Sequence, residues 1–287
     1  MTFAIRQINL QFSRTNGTVL DLKGLRCTAV ITNPGGYSAF GQLHLRVFGM
    51  TLDQMNEYSS VGSNMVAVQQ STVTVIAGNQ GSSLSQVFSG TIIASYIDFS
   101  GIPDVCFVVD AVAGYSAQGN PIQPLQVNGS ANVEDLIKSL AQTNGFAFYN
   151  APAPNNAHFV VQNQYISGSA MEQMSKLAQL ASIAMVVENG TVCLFANMGV
   201  RDTVEIEVNS KTGLVGYPSY WTAGFIIKQE FNANNLIGRI VNLTSIIPKS
   251  NGKWPIQMVT HELSTLTVDG PWFTTSKLSP QPYVAKN

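Results

Sequence analysis

Alternation of apolar and polar residues marks a strand with one buried face, and it dominates the first third of the sequence. Phe3, Ile5, Ile8, Leu10 and Phe12 roughly alternate with polar neighbours, and a β-type run at 27–32 leads into an Asn33-Pro34-Gly35-Gly36 turn. Residues 43–48 alternate cleanly. One interruption reads as helical: Thr51 is placed to cap residues 52–58, with Leu52, Met55 and Tyr58 on one face. Strands are then expected over 65–70, 72–77, 90–99 and 105–112, with a Gly78-Asn79-Gln80-Gly81 turn between two of them. Short strands at this spacing predict a closed or nearly closed β-barrel domain over 1–118.

The period changes after Gly119-Asn120-Pro121-Ile122-Gln123-Pro124, which reads as a linker. Val133, Leu136, Ile137, Leu140 and Ala141 recur at helical spacing. Asn132 stands at the N-cap, Glu134 and Asp135 at the positive end of the dipole, and Asn144-Gly145 at the stop. A second helix opens on the capping box Ser169-Ala170-Met171-Glu172 and turns Met171, Met174, Leu177, Ala178 and Ala181 inward. The two segments read as copies. Leu140-Ala141-Gln142 and Phe146-Ala147-Phe148 match Leu177-Ala178-Gln179 and Ile183-Ala184-Met185 at a constant offset of 37, and Gly129-Ser130-Ala131 recurs as Gly168-Ser169-Ala170. Strands at 185–188 and 192–195 flank an Asn189-Gly190 hairpin turn. The expectation for 119–200 is a compact α+β module with an internal pseudo-repeat.

Strand character returns in a third domain, 201–287. Val204, Ile206 and Val208 alternate with Glu205 and Glu207, and further strands are expected over 224–231, 238–245, 255–266 and 272–278. Asn251-Gly252 marks a turn, and the tail from Ser279-Pro280-Gln281-Pro282 is expected to be extended. The fold class is thus mainly β with an α+β insertion between two β-rich domains.

Composition narrows the function. Of 287 residues, 15 are basic and 16 acidic, and charged residues make up 11%, against roughly 25% in an ordinary globular protein. Ser, Thr, Asn and Gln together number 88. Without a basic excess, binding of nucleic acid through phosphate neutralisation is not expected. A polar surface poor in charge loses little on desolvation against another protein, which suits an assembly component. Cys27, Cys106 and Cys193 offer neither a disulfide framework nor a CxxC pair, and are expected as small core residues. The first eight residues lack a signal-peptide pattern, and no apolar run approaches 18 residues, so no membrane anchor is expected. A reducing cytosol, or export inside something larger, follows as the expected setting.

Candidate chemistry is sparse. His261-Glu262-Leu263-Ser264-Thr265 opens like a zinc-binding HExxH helix, but Thr265 stands where the second histidine is needed and the segment reads as a strand. There Val259, His261 and Leu263 share the more apolar face. No GxSxG elbow, P-loop or GxGxxG occurs, and Glu205 with Glu207 read as a solvated edge. Asp98, Asp104 and Asp110 border turns or strand ends. Trp221, Trp254, Trp272, Tyr217 and Tyr220 cluster in the last third, where they can pack a core, anchor an interface or stack on sugar. Catalytic, cofactor-binding and metal-binding residues are all expected to be none.

The order Leu236-Ile237-Gly238-Arg239-Ile240-Val241, Asn251-Gly252-Lys253-Trp254-Pro255-Ile256, His261-Glu262-Leu263-Ser264 and Gly270-Pro271-Trp272-Phe273-Thr274-Thr275 resembles bacteriophage tail baseplate hub proteins. Residues 25–48, with Gly49-Met50-Thr51-Leu52 leading into a short helix, resemble a tail-tube-type barrel, and the middle module resembles the insertion between two such barrels. The resemblance implies two tail-tube-like β-barrel domains flanking the paired helix–strand module, and a non-enzymatic virion protein of contractile tails. It implies a homotrimer that adapts a sixfold tail tube to a threefold central spike and lines the lumen, located in the tail baseplate and assembled in the host cytoplasm. Tail tube protein, central spike protein and possible baseplate and tape-measure proteins are the implied partners, with no sequence-specific nucleic-acid binding. A distal tail or tube subunit, a hub of a bacterial contractile injection apparatus, and a tail-associated cell-wall hydrolase are the alternatives.

Overall fold

Alternate side chains along Arg6–Ser13, Arg26–Asn33, Gln42–Phe48 and Thr72–Asn79 are buried, as a one-faced sheet requires. The computed structural model describes residues 5–14, 16–35, 40–60, 71–119, 121–196 and 199–279. Within these, β1 (Arg6–Ser13), β2 (Val19–Lys23), β3 (Arg26–Asn33), β4 (Gln42–Phe48), β5 (Thr72–Asn79), β6 (Ser85–Asp98) and β7 (Cys106–Val112) share one core, to which Leu263 and Trp272 also contribute. β1 contributes Ile8, Leu10 and Phe12, and β4 contributes Leu43, Leu45 and Val47. Helix α1 (Leu52–Tyr58) covers this core with Met55 and Tyr58, and a capping box between Thr51 and Gln54 fixes its start. The strand expected over 65–70 and the tail from Pro280 lie outside the described residues.

β6 begins five residues before the expected Gly90, because the glycine lets one strand serve two partners. Its first half pairs with β5 and its second half with β7. A Cβ on Gly90 would meet the Phe88 ring at 2.6 Å and the Val112 backbone at 2.8 Å, so only glycine fits where the partner changes.

The middle segment contains β8 (Pro121–Gln126), β9 (Ser130–Asn132), α2 (Val133–Thr143), β10 (Ala147–Asn150), β11 (Val160–Gln162), β12 (Tyr165–Ser169), α3 (Ala170–Leu180), β13 (Ala184–Glu188) and β14 (Thr191–Phe195). Both α2 and α3 are 11 residues long and start 37 apart, each between two strands. Three expectations need correction. The supposed linker is strand β8, paired with β12; a two-stranded ribbon leaves each strand an open side, where prolines are tolerated. Asn132 precedes α2, but its amide donates to Asp135 Oδ2 (3.3 Å) and caps no backbone N–H, whereas Ser169 and Glu172 form the full box on α3. The Gly-Ser-Ala match is out of step, since Ser130 lies in β9 two residues short of the cap position. Nor are the copies equally buried: Leu177 is wholly enclosed, while Leu140 only packs against the same core from a half-buried position.

β15 (Glu205–Val208), β16 (Leu214–Trp221), β17 (Gly224–Glu230), β18 (Ile240–Leu243), β19 (Gly252–Thr265) and β20 (Trp272–Leu278) form the rest. β16 was not expected, because a bulge at Gly216 (φ 69°) and Pro218 break its alternation. A third core joins these strands and takes Ala151, Ala184, Val186 and Phe195 from the middle segment. The chain is mainly β, with three α-helices among the described residues. One 13-stranded sheet runs β16-β17-β20-β19-β3-β4-β7-β6-β5-β1-β2, with β15 and β18 branching from β19. Its centre is the antiparallel β3–β19 pair, from Cys27–Thr265 to Asn33–Val259.

Candidate functional site

The arrangement with functional potential is a broad face. Seven consecutive strands, from β17 to β6, turn one side to the cores and the other outward. Paired residues of neighbouring strands share a face, so register lays the outward side chains in rows. One row runs Glu230, Phe273, Glu262, Val30, His44, Asp110 and Ala94 from β17 to β6. The next runs Lys228, Thr275, Thr260, Thr32, Gln42 and Val112. Threonines, a glutamine and scattered apolar groups therefore dominate this face, as the composition foreshadows.

Its charges meet across the strands. Arg46 on β4 reaches over β7 to Asp98 on β6 at 3.0 Å, and Lys228 on β17 reaches over β20 to Glu262 on β19 at 3.4 Å. His44 Nδ1 lies 2.7 Å from its cross-strand partner Asp110, and Arg26 lies 3.0 Å from Asp104. Aromatic rings complete two of these contacts: Phe48 sits 3.9 Å under the Arg26 guanidinium and Phe273 4.5 Å under the Lys228 ammonium. Hydrogen bonds from the Ser100 hydroxyl and backbone, then Arg46, hold the Asp98 carboxyl below the usual carboxylate range. Asp98, Asp104 and Asp110, which sequence reasoning left without a role, thus belong to this face, and only strand register reveals it.

His261 and Glu262 are separated by the sheet. Glu262 points outward, whereas His261 is buried, its Nδ1 2.9 Å from Thr274 Oγ1 and its ring edge-on to Phe231. Burial pushes His261 down to about 4, which keeps the imidazole neutral at pH 7. Thr265, in the position a zinc helix needs for histidine, donates its hydroxyl to the Leu25 carbonyl. No group of three or more His, Cys, Asp or Glu is arranged to hold a metal among the described residues, and none of their helices is long and apolar enough to cross a membrane. Glu205 and Glu207 are engaged with Lys253 and Asn242 on the outer rim. All three cysteines are free and buried. Tyr217 and Tyr220 are exposed on β16, while Trp272 is buried and Trp221 and Trp254 donate to backbone carbonyls.

A buried ionic cluster, unforeseen from the sequence, joins the middle segment to the C-terminal strands. Arg201 donates to the Glu188 carboxylate and, at 2.9 Å, to Cys193 Sγ, and Ile237 N–H approaches the other Glu188 oxygen at 3.5 Å. Burial is the largest single influence and works against the charged guanidinium, but Glu188, Cys193 and Asp202 together more than offset it and the Arg201 pKa moves up. The same surroundings push the Cys193 thiol up to about 11, chiefly by burial, so it is a structural acceptor and a poor nucleophile.

Solved structures share the architecture. A tail protein from Neisseria meningitidis MC58 is similar with a TM-score of 0.63 at 10% identity, over 95% of this chain and 96% of that one. The 43 kDa tail protein of prophage MuSo2 from Shewanella oneidensis gives 0.60 at 9%, over 98% and 100%. An Escherichia coli component of the type VI secretion system, described as similar to the T4 bacteriophage tail proteins gp27 and gp5, gives 0.57 at 10%, over 92% and 78%. No curated protein matches the sequence. The family described as baseplate hub gp41 matches residues 44–277.

Proposed function

Because the chain belongs to the baseplate hub gp41 family, a family of structural tail hubs, we propose that it forms the homotrimeric ring joining a sixfold tail tube to a threefold central spike. In this reading residues 1–118 and 201–287 are the two tube-like barrel domains of each protomer, flanking the module at 119–200. Three protomers then present six similar units, which lets a threefold ring meet a sixfold tube through heterologous, closing contacts. The β3–β19 pairing carries the proposal: it joins the two domains edge to edge, so that one protomer offers two units with a common outward face. That face lines the lumen, and cargo DNA passes over it without being read. The sheet ends on β2 and β16, and the exposed Tyr217 and Tyr220 on β16 supply aromatic anchors for the neighbouring protomer. Tail tube protein and spike occupy opposite faces of the ring, with other baseplate and tape-measure proteins as further partners. The hub is assembled in the host cytoplasm and performs no catalysis.

Native mass spectrometry of the purified chain, alone and mixed with tail tube and spike proteins, tests this. Trimers, alone or only in the mixture, are expected. Hexamers alone, or a monomer that persists with both partners present, would overturn it.

A further inference from the structure

Among the described residues, four full cations stand on the outward face, on Arg26, Arg46, Lys228 and Lys277, with five carboxylates: Asp98, Asp104, Asp110, Glu230 and Glu262. Three of the four cations are bound to a carboxylate, and Lys277 lies 5.5 Å over the Trp221 ring. We propose that Asp98, Asp110 and Glu262 act as guards, holding Arg46, His44 and Lys228 so that these groups do not retain a duplex polyanion sliding over this face. The inference rests on the reading of this face as the lumen wall.

Geometry favours this role. Arg46 and Lys228 each bridge to a carboxylate two strands away, about 10 Å across the sheet, so their side chains lie along the face and do not stand out from it. Stabilisation of the fold is a weak rival explanation, because solvent-exposed pairs of this kind contribute little to stability. Their effect on a passing duplex is larger in kind. Affinity for DNA comes from lysine and arginine displacing counterions from phosphate, and a cation already neutralised by a neighbouring carboxylate gains little from the exchange. A face that carries four cations and still sums to a slight negative charge is suited to passage.

Fluorescence anisotropy with a labelled 20-base-pair duplex tests the guards on the full chain. Wild type is compared with the triple variant Asp98→Asn, Asp110→Asn, Glu262→Gln. The control triple, Asp21→Asn, Asp53→Asn, Glu207→Gln, changes net charge equally away from this face. The guard triple should bind at least about tenfold more tightly than wild type and control at 50 mM salt. With two released cations, that affinity should fall about tenfold between 50 and 200 mM salt. No gain, or an equal gain in the control, overturns the proposal. Should the triple fail to fold by circular dichroism, Glu262→Gln alone gives the same comparison at smaller amplitude. Particles carrying the guard triple separate the two readings. Slowed genome release is expected, whereas in vitro retention with unaltered release overturns the lumen assignment on which the proposal depends.

Discussion

Replacing Arg201 by methionine should destabilise the protein more than any comparable change to a surface cation. The Glu188 side chain is 1% exposed and that of Arg201 10%, so neither charge can turn to water when its partner is removed. With the guanidinium gone, the carboxylate keeps only the long contact from Ile237 N–H at 3.5 Å. An abandoned buried charge costs about 3–5 kcal/mol, which corresponds to a fall of roughly 6–20 °C in Tm for a chain of this class. Glu188→Met combined with Arg201→Met removes both charges, leaves Ile237 N–H and Cys193 Sγ without strong partners, and should lie within about 2 kcal/mol of wild type. Thermal and urea unfolding followed by tryptophan fluorescence reports on the right region, since Trp221, Trp254 and Trp272 all lie in the C-terminal strands. A single variant that loses under about 1 kcal/mol, or a double variant as unstable as the single, would refute the view that burial of an unpaired charge sets the cost.

The neutral, buried His261 gives a signed pH effect. Its folded pKa of about 4 lies below the ordinary 6.5, so the unfolded chain takes up a proton that the fold refuses. The residue therefore removes stability as pH falls from about 6.5 to about 4, by roughly 3 kcal/mol in total, and contributes no slope above about pH 7. His261→Gln should flatten that limb of the stability curve without preventing particle assembly; parallel curves for the two proteins would contradict it. Leu177→Asp should unfold the middle module or cost several kcal/mol, while Leu140→Asp, at a half-buried site, should cost clearly less by circular dichroism melts. Ser169→Ala should cost about 1 kcal/mol by loss of the α3 cap, against near-neutrality for Asn132→Ala, whose side chain caps no backbone. Equal losses at both caps would show the box to be irrelevant.

Elements that depend on near neighbours were legible in the sequence. The caps of α1 and α3, the offset of 37 between α2 and α3, the Asn189-Gly190 turn and the buried side of β19 all follow from local periodicity and turn chemistry. Features requiring a distant partner were not. β8 carries two prolines and is a strand only because β12 pairs with it, and β16 hides its alternation behind a bulge. The outward face is the clearest case. Asp98, Asp110 and Glu262 look unremarkable one at a time, and their meeting with Arg46, His44 and Lys228 depends on registers across several strands. Likewise nothing near Glu188 in sequence announces Arg201 as a buried partner rather than a solvated cation.

The β3–β19 seam also sets a timetable for synthesis. β3 is complete by residue 33, yet its second neighbour is supplied by residues 259–265, more than 220 positions later. At 5–20 residues per second, one flank of β3 waits roughly 10–45 s on the ribosome for the strand that covers it. Throughout that interval the common outward face does not exist, because its two halves have not been joined. A chain interrupted before β19 can fold local hairpins but cannot complete this surface. The continuous face is in this way reserved for polypeptides whose translation has passed β19, a check that requires no separate inspecting factor.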